Sequence, residues 1–321
     1  MRNVTIDTIR AAATRVYSVA ARTPLIRLDP IAHGTPEIFL KLEVFQPIGS
    51  FKIRGATNAV AQLSPEQMRA GVWTVSAGNA AQGVALAARE AGAKASVLVM
   101  EGAPQTKLNA ISRLGAAIVQ APFDECWRAV TEHTSDRMKG RLVHPFDDDD
   151  FISGNGTAGL EILEDLPDVD AVVAPMGGGG LLGGIGVALR ALRPSATLYA
   201  AEPENAAPLA TSMKAGKASR FENWSRSWVD GAGGQTVLES MWPIVRDHVA
   251  ESIVVPLDDA ARAMRLTAER CHVIAEGAAA CAIAAAIAPA MQARGHKNIV
   301  AVVSGGNIDL AKFASLIGAC S

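Results

Sequence analysis

The stretch Ala171–Leu192, "AVVAPMGGGGLLGGIGVALRAL", decides the fold. It reads as a buried strand closing at Pro175, four consecutive glycines, and a helix that begins near Leu181. Strand, glycine turn and helix in that order make half of a βαβ unit, the building block of a helix-covered parallel sheet. Glycines let the chain turn sharply and bring its N–H groups close to a ligand. A helix N-terminus adds unpaired donors and a positive partial charge. Physically that is a phosphate site. A purely structural turn is the plainer reading, but four glycines in a row exceed what a turn needs.

The same alternation extends in both directions. The apolar runs "IFLKLE" (38–43), "GVWTV" (71–75), "ASVLVM" (95–100) and "AAIVQ" (116–120) come before "DAVVAP" (170–175). "TLYAAE" (197–202) and "NIVAVVS" (298–304) follow it. Helix-like segments such as "NAAQGVALAAREAG" and "LLGGIGVALRALRP" stand between them. This pattern predicts an α/β protein with a mostly parallel sheet covered on both faces, which suits strands that are nearly continuous apolar runs. Two segments break the pattern. "HPFDDDDFISG" (144–154) reads as a solvated crossing between two domains, and Gly216–Gly234 as an irregular, mobile flap whose Trp224 and Trp228 serve packing.

Composition excludes several function classes. The chain has 321 residues, 49% hydrophobic and 19% charged, which predicts a core-rich globular protein. A net charge of −2 gives no electrostatic footprint for nucleic acid or an anionic membrane. Cys126, Cys271, Cys281 and Cys320 have neither CxxC nor metal-like spacing, so reduced thiols in a cytoplasmic protein are expected. The N-terminus "MRNVTIDTIRAAATRV" lacks a signal-peptide core. "AAACAIAAAIAPA" from Ala278 is too short and too alanine-rich to span a bilayer, and reads as a buried helix.

Two chemistries compete for the glycine loop. Gly178, Gly180 and Gly183 fit G-x-G-x-x-G, and Glu202 closes the next strand at the distance where a dinucleotide site keeps its ribose-binding acid. That reading predicts an NAD-dependent oxidoreductase, with the fingerprint in mid-chain. No G-K-[ST] is present for a nucleotide P-loop.

Three other stretches bear on the choice. "SAGNAAQGVA" (76–85) follows a strand and opens a helix, with Ser76, Asn79 and Gln82 polar among small residues and N–H groups free for a carboxylate. "SGGNID" (304–309) places Ser304 at the C-terminal end of the last strand, where ligands of open α/β sheets bind. "QPIGSFKIRGATNAV" (46–60) puts Lys52 in the first turn of a helix, where the dipole disfavours a cation. A lysine so placed suits chemistry that needs a neutral amine for part of its cycle.

A lysine for an aldehyde, a glycine loop for a phosphate, a capping loop for a carboxylate and a serine for a ring nitrogen are the parts of an enzyme that handles amino acids on pyridoxal phosphate (PLP). The chain resembles the fold type II PLP enzymes (tryptophan synthase β-like), and among them the threonine/serine dehydratase and serine racemase group. The resemblance rests on "TPLIRL", "GSFKIRGA", "SAGNAAQGVA", "HPFDD", "GTAGLEI", "GGGGLLGGI" and "SGGN", in the family's order over nearly the whole chain. It implies two open twisted α/β domains with the cofactor in the cleft between them: residues 1–65 plus 147–321, and a smaller domain of 66–146. It also implies a homodimer and a small amino-acid substrate.

The resemblance further implies that Lys52 condenses with the cofactor aldehyde and later acts as general base, with Phe51 beside the ring. Asn79 would bond the ring's phenolic oxygen, and Ser304 would face the ring nitrogen. The N–H groups of Gly178, Gly179, Gly180 and Leu181 would hold the phosphate, and Ser76, Ala77, Gly78, Asn79 and Ala80 the substrate. Serine is a neutral partner for the ring nitrogen, which favours prompt loss of a β-group over transamination. The implied reaction is elimination of water from a β-hydroxy amino acid, giving a 2-oxo acid and ammonia. A racemase, or another β-eliminating or β-substituting enzyme of the same fold, is the alternative.

Several positions depart from the family. Ala80 stands where a histidine is common, and Gly234 where a polar residue can occur, so a larger or less polar side-chain pocket is expected, sized for a substrate such as phenylserine. Ala77 replaces the serine that racemisation requires, and Phe146 matches the dehydratases better. In "EPENAAP", Glu202 and Ala206 match a cation site of some relatives but Pro208 replaces its aspartate, so no metal is expected. The chain stops soon after "SGGN", so no regulatory domain is expected.

Overall fold

The computed structural model describes residues 2–29 and 36–319. Its strands, in chain order, are β1 (Leu25–Leu28), β2 (Glu37–Leu42), β3 (Val72–Val75), β4 (Ala95–Met100) and β5 (Ala117–Ala121). They continue with β6 (Arg141–Leu142), β7 (Ala171–Pro175), β8 (Thr197–Pro203), β9 (Glu251–Val255) and β10 (Asn298–Val303). They form a 6-stranded sheet, β1-β2-β10-β7-β8-β9, and a 4-stranded sheet, β5-β4-β3-β6. Among the described residues β1–β2 is the one antiparallel strand pair; the other strand pairs are parallel, as between β10 and β2, in register from Asn298↔Glu37 to Val303↔Leu42.

Each expected strand is present within a residue or so of its predicted ends. β1, β6 and β9 were not anticipated. β1 is a short, half-exposed antiparallel edge strand, and β6 has only two residues. β9, "ESIVV", buries only Ser252 and Val255 of its five residues and lies at the sheet's other edge. The central strands carry the predicted signature, with all five residues of β7 buried.

The alanine-rich helix Gly277–Ile287 packs on β7, β8 and β10 and is buried from Gly277 to Ala286. Among the described residues no helix is long and apolar enough to cross a membrane. Cys126, Cys271 and Cys281 are free thiols, and Cys320 lies outside the described residues.

The acidic run requires a correction. It is not merely a solvated crossing, because helix Asp149–Asp165 starts inside it. The Asp148 carboxylate accepts from the N–H groups of Asp150 and Phe151, with Asp149 and Asp150 in the first turn. Four N–H groups stand unpaired at a helix start beside a positive partial charge, so aspartates there are the stabilising choice.

That helix is the spine on which the site is assembled. A Cβ on Gly154 would lie 2.5 Å from the Arg54 carbonyl oxygen, so glycine there lets helix Lys52–Ala61 seat backbone to backbone. A Cβ on Gly184 would lie 2.5 Å from the Ile152 oxygen and 2.6 Å from the Gly156 nitrogen, so helix Gly180–Leu192 seats equally closely on a neighbouring face. One rigid element therefore fixes the lysine helix relative to the helix that opens at the glycine loop.

Candidate active site

The loops that carry the site all leave the C-terminal ends of parallel strands. β3 runs into Ser76–Gly78 and helix Asn79–Ala91, β7 into the glycine loop, and β10 into Ser304. Those ends face one another across a cavity of about 480 Å³. Phe51, Lys52, Ser76, Ala77, Gly78, Asn79, Ala80, Gly178, Gly179, Gly180, Leu181 and Ser304 all line it. The structure thus brings together every residue that the sequence nominated for this chemistry.

Lys52 is the first residue of its helix, and its Nζ donates to the Pro145 carbonyl oxygen at 2.5 Å. The Phe51 and Phe151 rings lie 5.1 and 5.4 Å from the nitrogen. Burial lowers the Lys52 ammonium to about 8, and the negative charge of Glu276 works against that shift. Desolvation is therefore the main depressor, in the direction expected from the helix start. Cofactor loading should accelerate as pH rises through about 8 and then level off, because only the neutral amine attacks an aldehyde. Stopped-flow absorbance after mixing apoprotein with PLP checks this; a rate that falls with rising pH would contradict it.

Whether the residues fit PLP is testable on their donors. Among the described residues the N–H groups of Gly178 and Gly179 have no acceptor. Those of Gly180 and Leu181 belong to the first helical turn, where no carbonyl is available to them. Gly179 has φ +90°, a conformation that side-chain-bearing residues rarely adopt, and the Phe146 ring packs where a Cβ on Gly178 would stand. Ser304 is 1% exposed, its carbonyl oxygen accepts from the Phe51 N–H at 3.0 Å, and its hydroxyl has no partner among the described residues. A dianion at the glycine loop and a neutral ring nitrogen at Ser304 match these unmet groups. The residues fit the cofactor.

The dinucleotide reading fails on geometry. Gly183 lies inside a helix, as the third glycine of a dinucleotide fingerprint also would, so the reading turns on its acid. Glu202 is fully buried and accepts from the Leu209 and Ala210 N–H groups and the Ser252 hydroxyl, with burial raising it to about 6. Fully buried and held by those three bonds, the carboxylate is not open to a ribose. The same contacts make Glu202 the cap of helix Pro208–Ala215, whose first residue is the proline that departs from the family. Among the described residues no three His, Cys, Asp or Glu side chains converge as metal ligands would.

The irregular segment Gly216–Gly234 forms one wall of the cavity with Arg226, Asp230, Gly231, Gly233 and Gly234. The Trp224 indole donates to the Gly233 oxygen at 2.9 Å, and Trp228 packs against the core of the six-stranded sheet. Lys107, from the opposite wall, pairs with Asp230 at 2.5 Å across the cavity mouth. Sequence reasoning missed Glu276 and Asn307, which line the cavity and hold Asn79 from either side. Asn307 was visible as the last residue of "SGGN", but Glu276 had no signal beyond an acid before an alanine-rich helix.

A family model described as pyridoxal-phosphate dependent enzyme matches residues 16–305. The chain belongs to that family. It is 38% identical over 310 residues to the L-threonine ammonia-lyase of Thermotoga maritima, covering 96% of this chain and 76% of that protein. It is 36% identical over 321 residues to the catabolic L-threonine dehydratase of Staphylococcus aureus, covering 98% and 92%. Its fold matches maize serine racemase with a TM-score of 0.89 at 34% identity, covering 97% and 96%. The PLP enzyme therefore has the type II fold that its sequence implied.

Proposed function

We propose that this PLP enzyme is an ammonia-lyase that eliminates water from a β-hydroxy amino acid of the threonine or serine class; the enamine product then takes up water and gives a 2-oxo acid and ammonia. The observation that carries this reading is a lysine of depressed pKa in one cavity with an unpaired N–H cradle, a carboxylate-binding loop and a neutral serine. Similarity to two threonine-cleaving enzymes supports it.

PLP, when bound, supplies an aldehyde for the substrate amine and a conjugated ring that takes the electron pair left at Cα. The chain's own residues do the rest. Lys52 would hold the cofactor, and its amine, when free, is placed in this cavity to take the Cα proton. Gly178, Gly179, Gly180 and Leu181 fix the phosphate, so the ring keeps its position during the reaction. In the Ser76–Ala80 loop the N–H groups of Ser76 and Gly78 are spent on the Leu98 oxygen and the Ser76 hydroxyl. That leaves those of Ala77, Asn79 and Ala80 to meet the substrate carboxylate and orient the Cα–H bond toward the lysine. Phe51 would pack beside the ring, and Ser304, a neutral partner, would leave its nitrogen uncharged. Residues 66–146, which carry the carboxylate loop, move as a lobe that closes on the substrate, and the enzyme works as a cytoplasmic homodimer.

Side-chain selection follows from what is missing. Ala80 is small, and a Cβ on Gly234 would meet nothing closer than the Thr236 oxygen at 4.0 Å. We read this as room beyond Cβ, enough for a side chain larger than that of threonine. Ala77 offers no hydroxyl on the opposite face of the substrate, so elimination should exceed racemisation by at least about a hundredfold. Assays of 2-oxo acid and ammonia release from serine, threonine, phenylserine and 3-hydroxyaspartate isomers, with chiral analysis of unreacted substrate, test both points. Protein that binds PLP yet turns over none of them would refute the lyase reading. Rapid inversion of serine without ammonia would assign a racemase instead.

A further inference from the structure

The hydrogen bonds around Asn79 form a chain with only one consistent orientation. At one end is the Ile48 carbonyl oxygen, which can only accept. Asn307 Nδ2 donates to it at 2.8 Å, and also to Asn79 Oδ1 at 2.8 Å. Both amide hydrogens of Asn307 are thereby used. At the other end, Asn79 Nδ2 donates to Glu276 Oε1 at 2.8 Å. Turning the Asn79 amide over would set its carbonyl oxygen against the Glu276 carboxylate and its NH2 against the NH2 of Asn307. Both contacts would then be like against like. The one orientation that satisfies every group leaves a single Asn79 N–H unspent, on a side chain that lines the cavity.

The Glu276 carboxylate is itself held in place. Glu276 is 9% exposed and stands at the N-cap position of helix Gly277–Ile287 without a side-chain bond to that helix, and its own N–H donates to the Gly305 oxygen at 2.9 Å. A Cβ on Gly305 would lie 2.6 Å from Glu276 Oε1, so the first glycine of "SGGN" is what leaves space for the carboxylate. Asn79 opens the helix that follows β3 of the four-stranded sheet, whereas Glu276 and Asn307 flank the end of the six-stranded sheet. The chain of bonds therefore crosses the cleft.

We propose that Glu276 is a positioning residue of the catalytic centre: with Asn307 it holds the Asn79 amide so that its free N–H faces the cofactor's ring oxygen, and it places a negative charge opposite Lys52. This rests on the PLP-lyase reading for what Asn79 faces. Burial raises the Glu276 carboxyl to about 7; the Asn79 bond, Lys107 and the Asn307 N–H oppose that rise, and Asp230 adds to it. The other charged groups lining the same or the adjoining cavity are Lys52, Glu101, Arg113, Arg226, Asp309 and Lys312. Near neutral pH the carboxyl thus exchanges a proton while the amide bond persists through its carbonyl oxygen. The charge opposite Lys52 is what changes.

The test compares PLP-loaded wild type, Glu276→Gln and Glu276→Ala. It reads cofactor affinity, the visible spectrum across neutral pH, and kcat and KM for threonine. Glu276→Ala frees the Asn79 amide and should weaken PLP binding about tenfold and lower kcat about a hundredfold, with KM within about twofold. Glu276→Gln keeps an acceptor for Asn79 without the charge. It should hold PLP affinity within about threefold yet lose the neutral-range pH dependence of the visible band and of kcat. Should the alanine variant fail to fold, the glutamine variant alone decides. Wild-type spectra, affinity and pH profile in both variants, even with a lowered melting temperature, would reduce Glu276 to a structural residue and overturn the assignment. If wild type binds PLP but cleaves no β-hydroxy amino acid, the lyase reading falls, while affinity and spectra still decide the role of Glu276.

Discussion

Lys52→Ala is expected to abolish the visible absorption of the PLP-loaded protein and to lower turnover of threonine about ten-thousandfold or more. The loss is large because one side chain performs two tasks, carrying the cofactor and moving the Cα proton. The protein should still fold, since among the described residues the Lys52 ammonium makes one hydrogen bond, to the Pro145 oxygen. Its absence removes a partly desolvated charge and leaves the buried ion network of the same helix intact. Borohydride reduction of the wild type, followed by peptide mass mapping, should place the cofactor adduct on the Lys52 peptide. Lys107 also lines the cavity but is held in an ion pair with Asp230. An adduct on Lys107, or full activity in Lys52→Ala, would defeat the account of the site.

The legible and illegible parts of the molecule differ in physical kind. Central strands such as β7 and β10 were readable because burial on both faces leaves nothing but apolar residues. The glycine loop was readable because a tight turn and an unpaired N–H cradle leave little choice of residue. β9 escaped because an edge strand half in water carries a weaker pattern, although its sequence is β-branched. The acidic run misled because the same aspartates suit a solvated loop and a helix start, and only the backbone that follows decides between them. Glu276 escaped for another reason. A long-range hydrogen bond to Asn79, 197 residues away, leaves no local trace in the chain. Gly305 was its one imprint, and in the sequence that glycine reads as a turn.

Lys52 and Arg54 are separated by two positions on one helix, so their side chains point in nearly opposite directions. Lys52 lines the cavity, while Arg54 is fully buried beneath it. Its guanidinium meets Glu43 through Nε at 2.7 Å and Nη2 at 2.8 Å, and Glu161 through Nη1 at 2.6 Å and Nη2 at 2.8 Å. Lys41, also fully buried, adds a contact to Glu161 at 2.6 Å and donates to the Thr23 oxygen at 2.6 Å. Two cations thus balance two carboxylates. Burial alone would raise Glu161, yet the bonds and charges of Arg54 and Lys41 bring it below the usual carboxylate range. Replacing Arg54 by methionine would leave Glu43 and Glu161 in the interior with only Lys41 to compensate them. The expected loss is about 3–5 kcal/mol of unfolding free energy. That is a large share of the roughly 5–15 kcal/mol that folded proteins possess. Arg54→Lys keeps the charge but not the fork that reaches both carboxylates, and should fall between methionine and wild type. Urea unfolding of the PLP-loaded proteins measures both losses. A methionine variant within about 1 kcal/mol of wild type would mean that the network adds no more than an exposed ion pair, and that the seat on Gly154 alone holds the lysine helix in place.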